Sequence, residues 1–178
     1  MAQQMQSYDF ISKCFHWISA LWVFILFFLG DWMVDLGYYH SWYQESRWWH
    51  ISLGLLLLLI LPWRFFWRLY KQSSIGFITN SKIQQWLIKI THLLLYFLLL
   101  SVCVSGIFLA SAADEALLFF NFFELPALNF DDFAAVELIS QKIHQYLAYG
   151  LMILISLHFS AVIKHQLIDK QPILKRMV

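Results

Sequence analysis

Five of the seven histidines in this chain of 178 residues, His16, His50, His92, His144 and His158, lie within or at the ends of long apolar stretches. An ionisable side chain in such a stretch is costly, and one that persists there usually serves a function. The neutral imidazole nitrogen is also a common metal ligand. The other two read as interfacial residues: His40 stands among tyrosines in a polar connection, and His165 follows Lys164 beyond the last apolar stretch.

HQYLAYGLMILISLH, residues 144 to 158, carries a histidine at each end. Fourteen residues at about 100° each fall roughly 40° short of four full helical turns, and a rise of 1.5 Å per residue separates the two by about 21 Å. His144 and His158 therefore share one helix face at opposite depths. Leu151 and Ile155 fall on the same stripe, so the face reads as ligand, apolar spacer, ligand.

The elements that must position these rings are membrane spans. The chain is 61% hydrophobic, 19% aromatic and 13% charged, a composition outside the soluble range. Four apolar stretches, roughly residues 10–30, 48–69, 86–112 and 136–163, are each long enough to cross a hydrocarbon core of about 30 Å as a helix. The expected fold is an all-α four-helix transmembrane bundle, one integral-membrane domain over residues 1–178. The first stretch lacks a basic leader and a small-residue cleavage site, so it reads as a retained span. Pro62 is expected to bend the end of the second span, with Arg64 and Arg68 snorkelling to the surface. The long connection 113–137, interrupted by Asn121, Glu124 and Pro126, is expected to lie flat on the membrane with a short amphipathic turn before Pro126.

Charge gives the bundle a direction. Arg64, Arg68, Lys71, Lys82 and Lys89 flank the connection between spans two and three, and Lys164, Lys170, Lys175 and Arg176 follow span four. The other two connections hold only Arg47 and Lys142, among Asp31, Asp35, Glu45, Asp114, Glu115, Glu124, Asp131, Asp132 and Glu137. Basic connections stay inside, so both termini are expected to be cytoplasmic. A basic face of this kind follows from topology, and nucleic acid is not an expected partner. Cys14 and Cys103 form neither CxxC nor CxxCH, which leaves covalent haem attachment and a redox dithiol unsupported; both thiols read as apolar packing.

Depth then limits the pairs. His50, at the outer start of span two, matches His144, while His158 shares the inner level with both His16 and His92, one more than a pair needs. Two imidazoles at one depth on neighbouring helices suit a planar cofactor clamped from both faces, and haem iron takes such axial ligands. Zinc usually wants four ligands, and no cysteine or carboxylate in the spans completes such a set. Gly54, one turn after His50, would let a porphyrin lie flat. The structural alternative is that the histidines only hydrogen-bond across helices.

The pattern resembles the bacterial cytochrome b561 family, four-helix dihaem membrane cytochromes that include a superoxide:ubiquinone oxidoreductase. The resemblance spans essentially the whole chain. It is carried by HW at His16 and Trp17, by HxxxG at His50 and Gly54 followed by Arg64 and Arg68, by HLLLYFLLLSVCVSG from His92 to Gly106, by the His144 to His158 spacing, and by FFNFFELP. Phe10 departs from it, standing where members often carry an arginine shortly before the first histidine. The resemblance implies two non-covalent haem b groups, with His16 and His158 on the inner iron and His50 and His144 on the outer. It leaves His92 a non-ligand that bonds a propionate or a quinone, or simply packs. Arg47 and Lys142, three and two residues before the outer ligands, would neutralise propionates or draw in an anion.

The implied activity is transfer of electrons from superoxide through the two haems to ubiquinone in the bacterial cytoplasmic membrane. The sequence itself identifies no catalytic residue. The alternative is a conduit, a cytochrome b subunit that links a partner dehydrogenase to the quinone pool. A third reading, a haem-free scaffold or transporter subunit, requires purely structural histidines.

Overall fold

The computed structural model describes residues 7–72, 81–112, 117–128, 130 and 132–178. Four long helices form the bundle: α1 (Phe10–Val34), α2 (Tyr43–Gln72), α3 (Lys82–Ala112) and α4 (Phe133–Leu167). Each is long and apolar enough to cross a membrane. They outrun the apolar stretches because helical bonding continues into polar ends such as Lys82–Gln85, where water is again available. The Asp9 side chain caps α1 by accepting from the Ser12 amide at 3.3 Å, and that of Asp132 caps α4 by accepting from the Ala135 amide at 3.0 Å. The helix α2 runs unbroken through Pro62.

Chain order explains the packing: α1 lies against α2, α2 against α3, and α3 most extensively against α4. One cluster, Val23, Leu26, Leu57, Leu61, Leu99 and Leu151, draws on all four helices and fills the middle of the bundle. Ile155 and Cys103 pack against it, so the stripe between His144 and His158 is the apolar spacer its residues imply. Outward-facing side chains are equally apolar: Phe97, Leu157 and Ile153 are 61%, 62% and 63% exposed. A surface of that kind needs lipid.

The connection after α3 departs from expectation. Instead of a flat amphipathic turn, the run pairs with itself as an antiparallel hairpin, β1 (Leu117–Phe119) and β2 (Phe123–Leu125), with Leu117 opposite Leu125 and Phe119 opposite Phe123. Phe120 and Asn121 turn the chain in the left-handed region, at φ 47° and 58°. Pro126 follows β2 and, lacking an N–H, cannot extend the ladder. Asp114, Glu115, Asp131 and the polar connection 73–80 lie outside the described residues.

Ser52, completely buried, fastens the hairpin to α2. Its hydroxyl donates to the Leu118 carbonyl at 3.0 Å and accepts from the Phe120 amide at 3.2 Å. Trp48 adds a hydrogen bond from its indole to Asn121 Oδ1 at 3.2 Å. At the opposite end a short helix, α5 (Leu174–Met177), closes against α1: the Tyr8 amide donates to the Arg176 carbonyl at 3.0 Å and the Trp17 indole to the Met177 carbonyl at 2.8 Å. Residues 7 and 178 therefore lie at one end, the basic end, and the hairpin covers the acidic end.

Ser52→Ala is expected to destabilise the protein by about 1–3 kcal/mol, because the partly buried Leu118 carbonyl and Phe120 amide each lose a partner. Thermal unfolding in detergent should show the midpoint falling by a few degrees, at about 2–4 °C per kcal/mol for a chain of this size, and proteolysis should nick the hairpin first.

Candidate cofactor site

The imidazoles gather at two levels. At the acidic end His50 of α2 and His144 of α4 meet edge to face, ring centroids 6.1 Å apart at 79°. His144 is held from α3: its Nδ1 lies 3.0 Å from the Val102 carbonyl oxygen and 3.0 Å from Ser105 Oγ. A carbonyl only accepts, so Nδ1 carries the proton and donates, which leaves Nε2 with a free lone pair. Nδ1 of His50 is buried and, among the described residues, has no hydrogen-bond partner. A polar atom left so in an apolar bundle calls for a partner.

Two glycines make room for these rings. A Cβ on Gly30 of α1 would stand 2.9 Å from His50 Cε1, and one on Gly106 of α3 would stand 3.1 Å from His144 Cε1. Gly54, expected to let a porphyrin lie flat, has open space at the position of a side chain, with nothing within 4 Å. Close approach at Gly30 and Gly106 is to imidazole, and only folding reveals it.

Three imidazoles share the basic-end level. His92 of α3 meets His158 of α4 with centroids 5.4 Å apart at 72°, and its Nδ1–H donates to the Ile88 carbonyl of its own helix at 2.7 Å. His16 of α1 lies near enough to His158 for electrostatic interaction, packs on Trp17, and accepts at Nδ1 from Arg64 Nη2 at 3.3 Å. The ring contact at this level is thus between His92 and His158, with His16 beside them.

Arg64 and Arg68 correct the snorkelling expectation. Both turn inward and are half-buried, stacked over the Tyr96 ring at 5.5 and 5.7 Å, and Arg64 also donates to Ser19 Oγ. The remaining sequence candidates sit at the acidic end. Arg47 donates to Tyr43 Oη at 2.8 Å and lines a cavity of about 510 Å³ with Gln44, Glu45, Trp48, Ile51, Leu118 and Asn121. Lys142 is exposed, away from that cavity. His40 accepts from the Trp42 amide, and His165 bonds Asp169 at 2.5 Å, both apart from the two levels.

The donor set suits a macrocycle better than a bare ion. Among the described residues no three His, Cys, Asp or Glu side chains converge as a metal-ion site. A porphyrin brings four nitrogens of its own and asks the protein for only one or two axial ligands. Imidazoles at two depths, a lone pair aimed by a carbonyl bond and a buried nitrogen without a partner match that request.

The fold and these imidazoles define a class, a four-helix membrane cytochrome of b type. The chain matches the model of the prokaryotic cytochrome b561 family over residues 7–178. It is 34% identical over 173 residues to cytochrome b561 homolog 2 of Escherichia coli (strain K12), an alignment that covers 97% of this chain and 92% of that protein. The chain belongs to the prokaryotic cytochrome b561 family, whose members are membrane electron-transfer proteins that bind haem b.

Gly30→Ala is expected to push the His50 ring from its place and to cost about 1–3 kcal/mol of stability, as overpacking does. Haem bound per protein should fall, whereas Gly37→Ala, where nothing lies within 4 Å, should leave it unchanged. Absorption of the purified protein in detergent measures both.

Proposed function

We propose that the protein holds two haem b groups across the bacterial cytoplasmic membrane and passes electrons from superoxide to ubiquinone, with both termini cytoplasmic. The observation that carries this reading is the two-level set of imidazoles on either side of one apolar core. In the assignment we favour, His50 and His144 bind the iron near the outer surface and His16 and His158 the iron near the inner one. The family resemblance supports the choice of His16 over His92 at the inner level, and it requires Arg64 to release His16 Nδ1 so that the proton moves there and Nε2 is freed.

Bound haem would supply reversible one-electron chemistry at its iron. The chain does the rest. The Val102 carbonyl holds the His144 tautomer and so keeps Nε2 available to a metal. Leu57, Leu61, Leu99 and Leu151 fill the space between the levels and exclude water from it. His92 has committed its proton to Ile88, so its Nε2 accepts a hydrogen bond and suits the hydroxyl of a quinol. In the net reaction two superoxide anions each give up one electron and leave as dioxygen, while one ubiquinone takes two electrons and two protons.

A second reading is supported by the charge at the outer end. In the sequence, nine acidic residues fall in the two connections expected there against Arg47 and Lys142, a balance that repels an anion over long range. The conduit reading, in which a partner dehydrogenase delivers the electrons, needs no anionic substrate. The hairpin and its cavity then become docking surface.

His144→Ala is expected to abolish one haem and spare the other, as redox difference spectra will show. His16→Ala should also lose one, and His92→Ala should keep both; the opposite pattern would make His92 the inner ligand. Oxidised protein mixed with superoxide should be reduced rapidly and reoxidised by added quinone analogue. Haem bands that answer dithionite but ignore superoxide would establish the conduit instead.

A further inference from the structure

The inner cluster of Arg64, Arg68 and Tyr96 has a use that the ligand scheme leaves open. The two arginines stand four residues apart on α2, so they project from one helix face, and both lie over the same aromatic ring. Both are within electrostatic range of His16 and His158. They therefore sit at the depth of the inner imidazoles.

What they lack is an anion. The protein atoms that Arg64 meets with its guanidinium nitrogens, Ser19 Oγ, His16 Nδ1 and the Tyr96 hydroxyl, include no carboxylate. The basic end of the chain carries ten Lys and Arg and two acids, Asp9 and Asp169. Both acids are committed: Asp9 accepts from Ser12 Oγ at 2.7 Å, and Asp169 pairs with Lys164 at 2.9 Å and His165 at 2.5 Å. No carboxylate reaches Arg64 or Arg68 among the described residues. Two like charges held together in an apolar bundle are costly unless something negative joins them. Arginine, with a planar fork of donors, is suited to a carboxylate gripped at both oxygens.

We propose that Arg64 and Arg68 form a carboxylate-binding site whose ligand is the propionate pair of the inner haem, an inference that rests on the dihaem reading. The same anion chemistry is offered by a lipid phosphate, and the test separates the two sources.

The test is a cycle on the holoprotein. Wild type, Arg68→Gln and the charge-conserving Arg68→Lys are each loaded with haem or with its dimethyl ester, and loss of haem to an excess of scavenging apoprotein is timed. Arg68→Gln is expected to speed loss of one of the two haems by roughly tenfold or more, the effect of one charge-assisted hydrogen bond, with Arg68→Lys between. No difference between the proteins is expected with the ester. Equal acceleration with the ester would overturn the inference, because the site would not be reading carboxylates. Unchanged haem loss with a fall in co-purified phospholipid phosphorus would overturn it in favour of a lipid headgroup. A wild-type protein that binds fewer than two haems would sink the dihaem reading, and this site with it.

Discussion

Lipid offers no hydrogen bonds, so each imidazole inside this bundle must find its partners in the protein or in what the protein binds. That constraint organises the interior. His144 is satisfied from α3 by the Val102 carbonyl and Ser105, His92 by Ile88 in its own helix, and His16 by Arg64 from α2, while His50 Nδ1 is left without a partner among the described residues. Where a ring nitrogen is tied to a carbonyl, the opposite nitrogen is exposed as a donor of electrons. For His144 and His92 the hydrogen bond to a carbonyl thereby decides which atom is free, whereas in His16 it is Nδ1 that accepts, from Arg64.

The two levels solve this problem differently. The acidic-end pair is a tight arrangement, backed by glycines on α1 and α3 and roofed by a hairpin that Ser52 fastens to α2. The basic-end level is crowded and charged, with three imidazoles and two arginines around Tyr96. In the dihaem reading this asymmetry has a use. The outer level places a ligand rigidly near a surface that meets substrate or partner, and the inner level supplies guanidinium groups to balance the propionates.

Much of the fold was legible because membrane physics leaves few options. Four apolar runs of the right length become four helices, and a fourteen-residue spacing places His144 and His158 on one stripe whatever surrounds them. The site was legible in its ligand types and levels and less so in its supports. Nothing local distinguishes Gly30 or Gly106, which face imidazoles, from Gly54, which faces open space. Arg64 and Arg68 read as surface anchors because snorkelling is the usual fate of arginine near a helix end, and only Ser19 and Tyr96 on other helices draw them inward. The hairpin was missed for a related reason. Phe120 adopts a positive φ that its side chain does not favour, and contacts to Trp48, Trp49 and Ser52 on α2 hold it there.

The middle of the bundle carries an argument of its own. Between the two levels lies a buried cluster of leucines and a valine from four helices with no ionisable group in it, and Cys103 and Tyr96 pack at its margin. Such a core conducts neither protons nor ions, because nothing in it can pass a proton or hold an ion against its hydration cost. Electrons need only cofactors close enough at either side. In the proposed dihaem reading, charge crosses the membrane as electrons alone, with ligands at the ends and hydrocarbon between. Proton uptake in that proposed reading belongs to the surface near the quinone, and the apolar spacer on α4 keeps the two traffics apart.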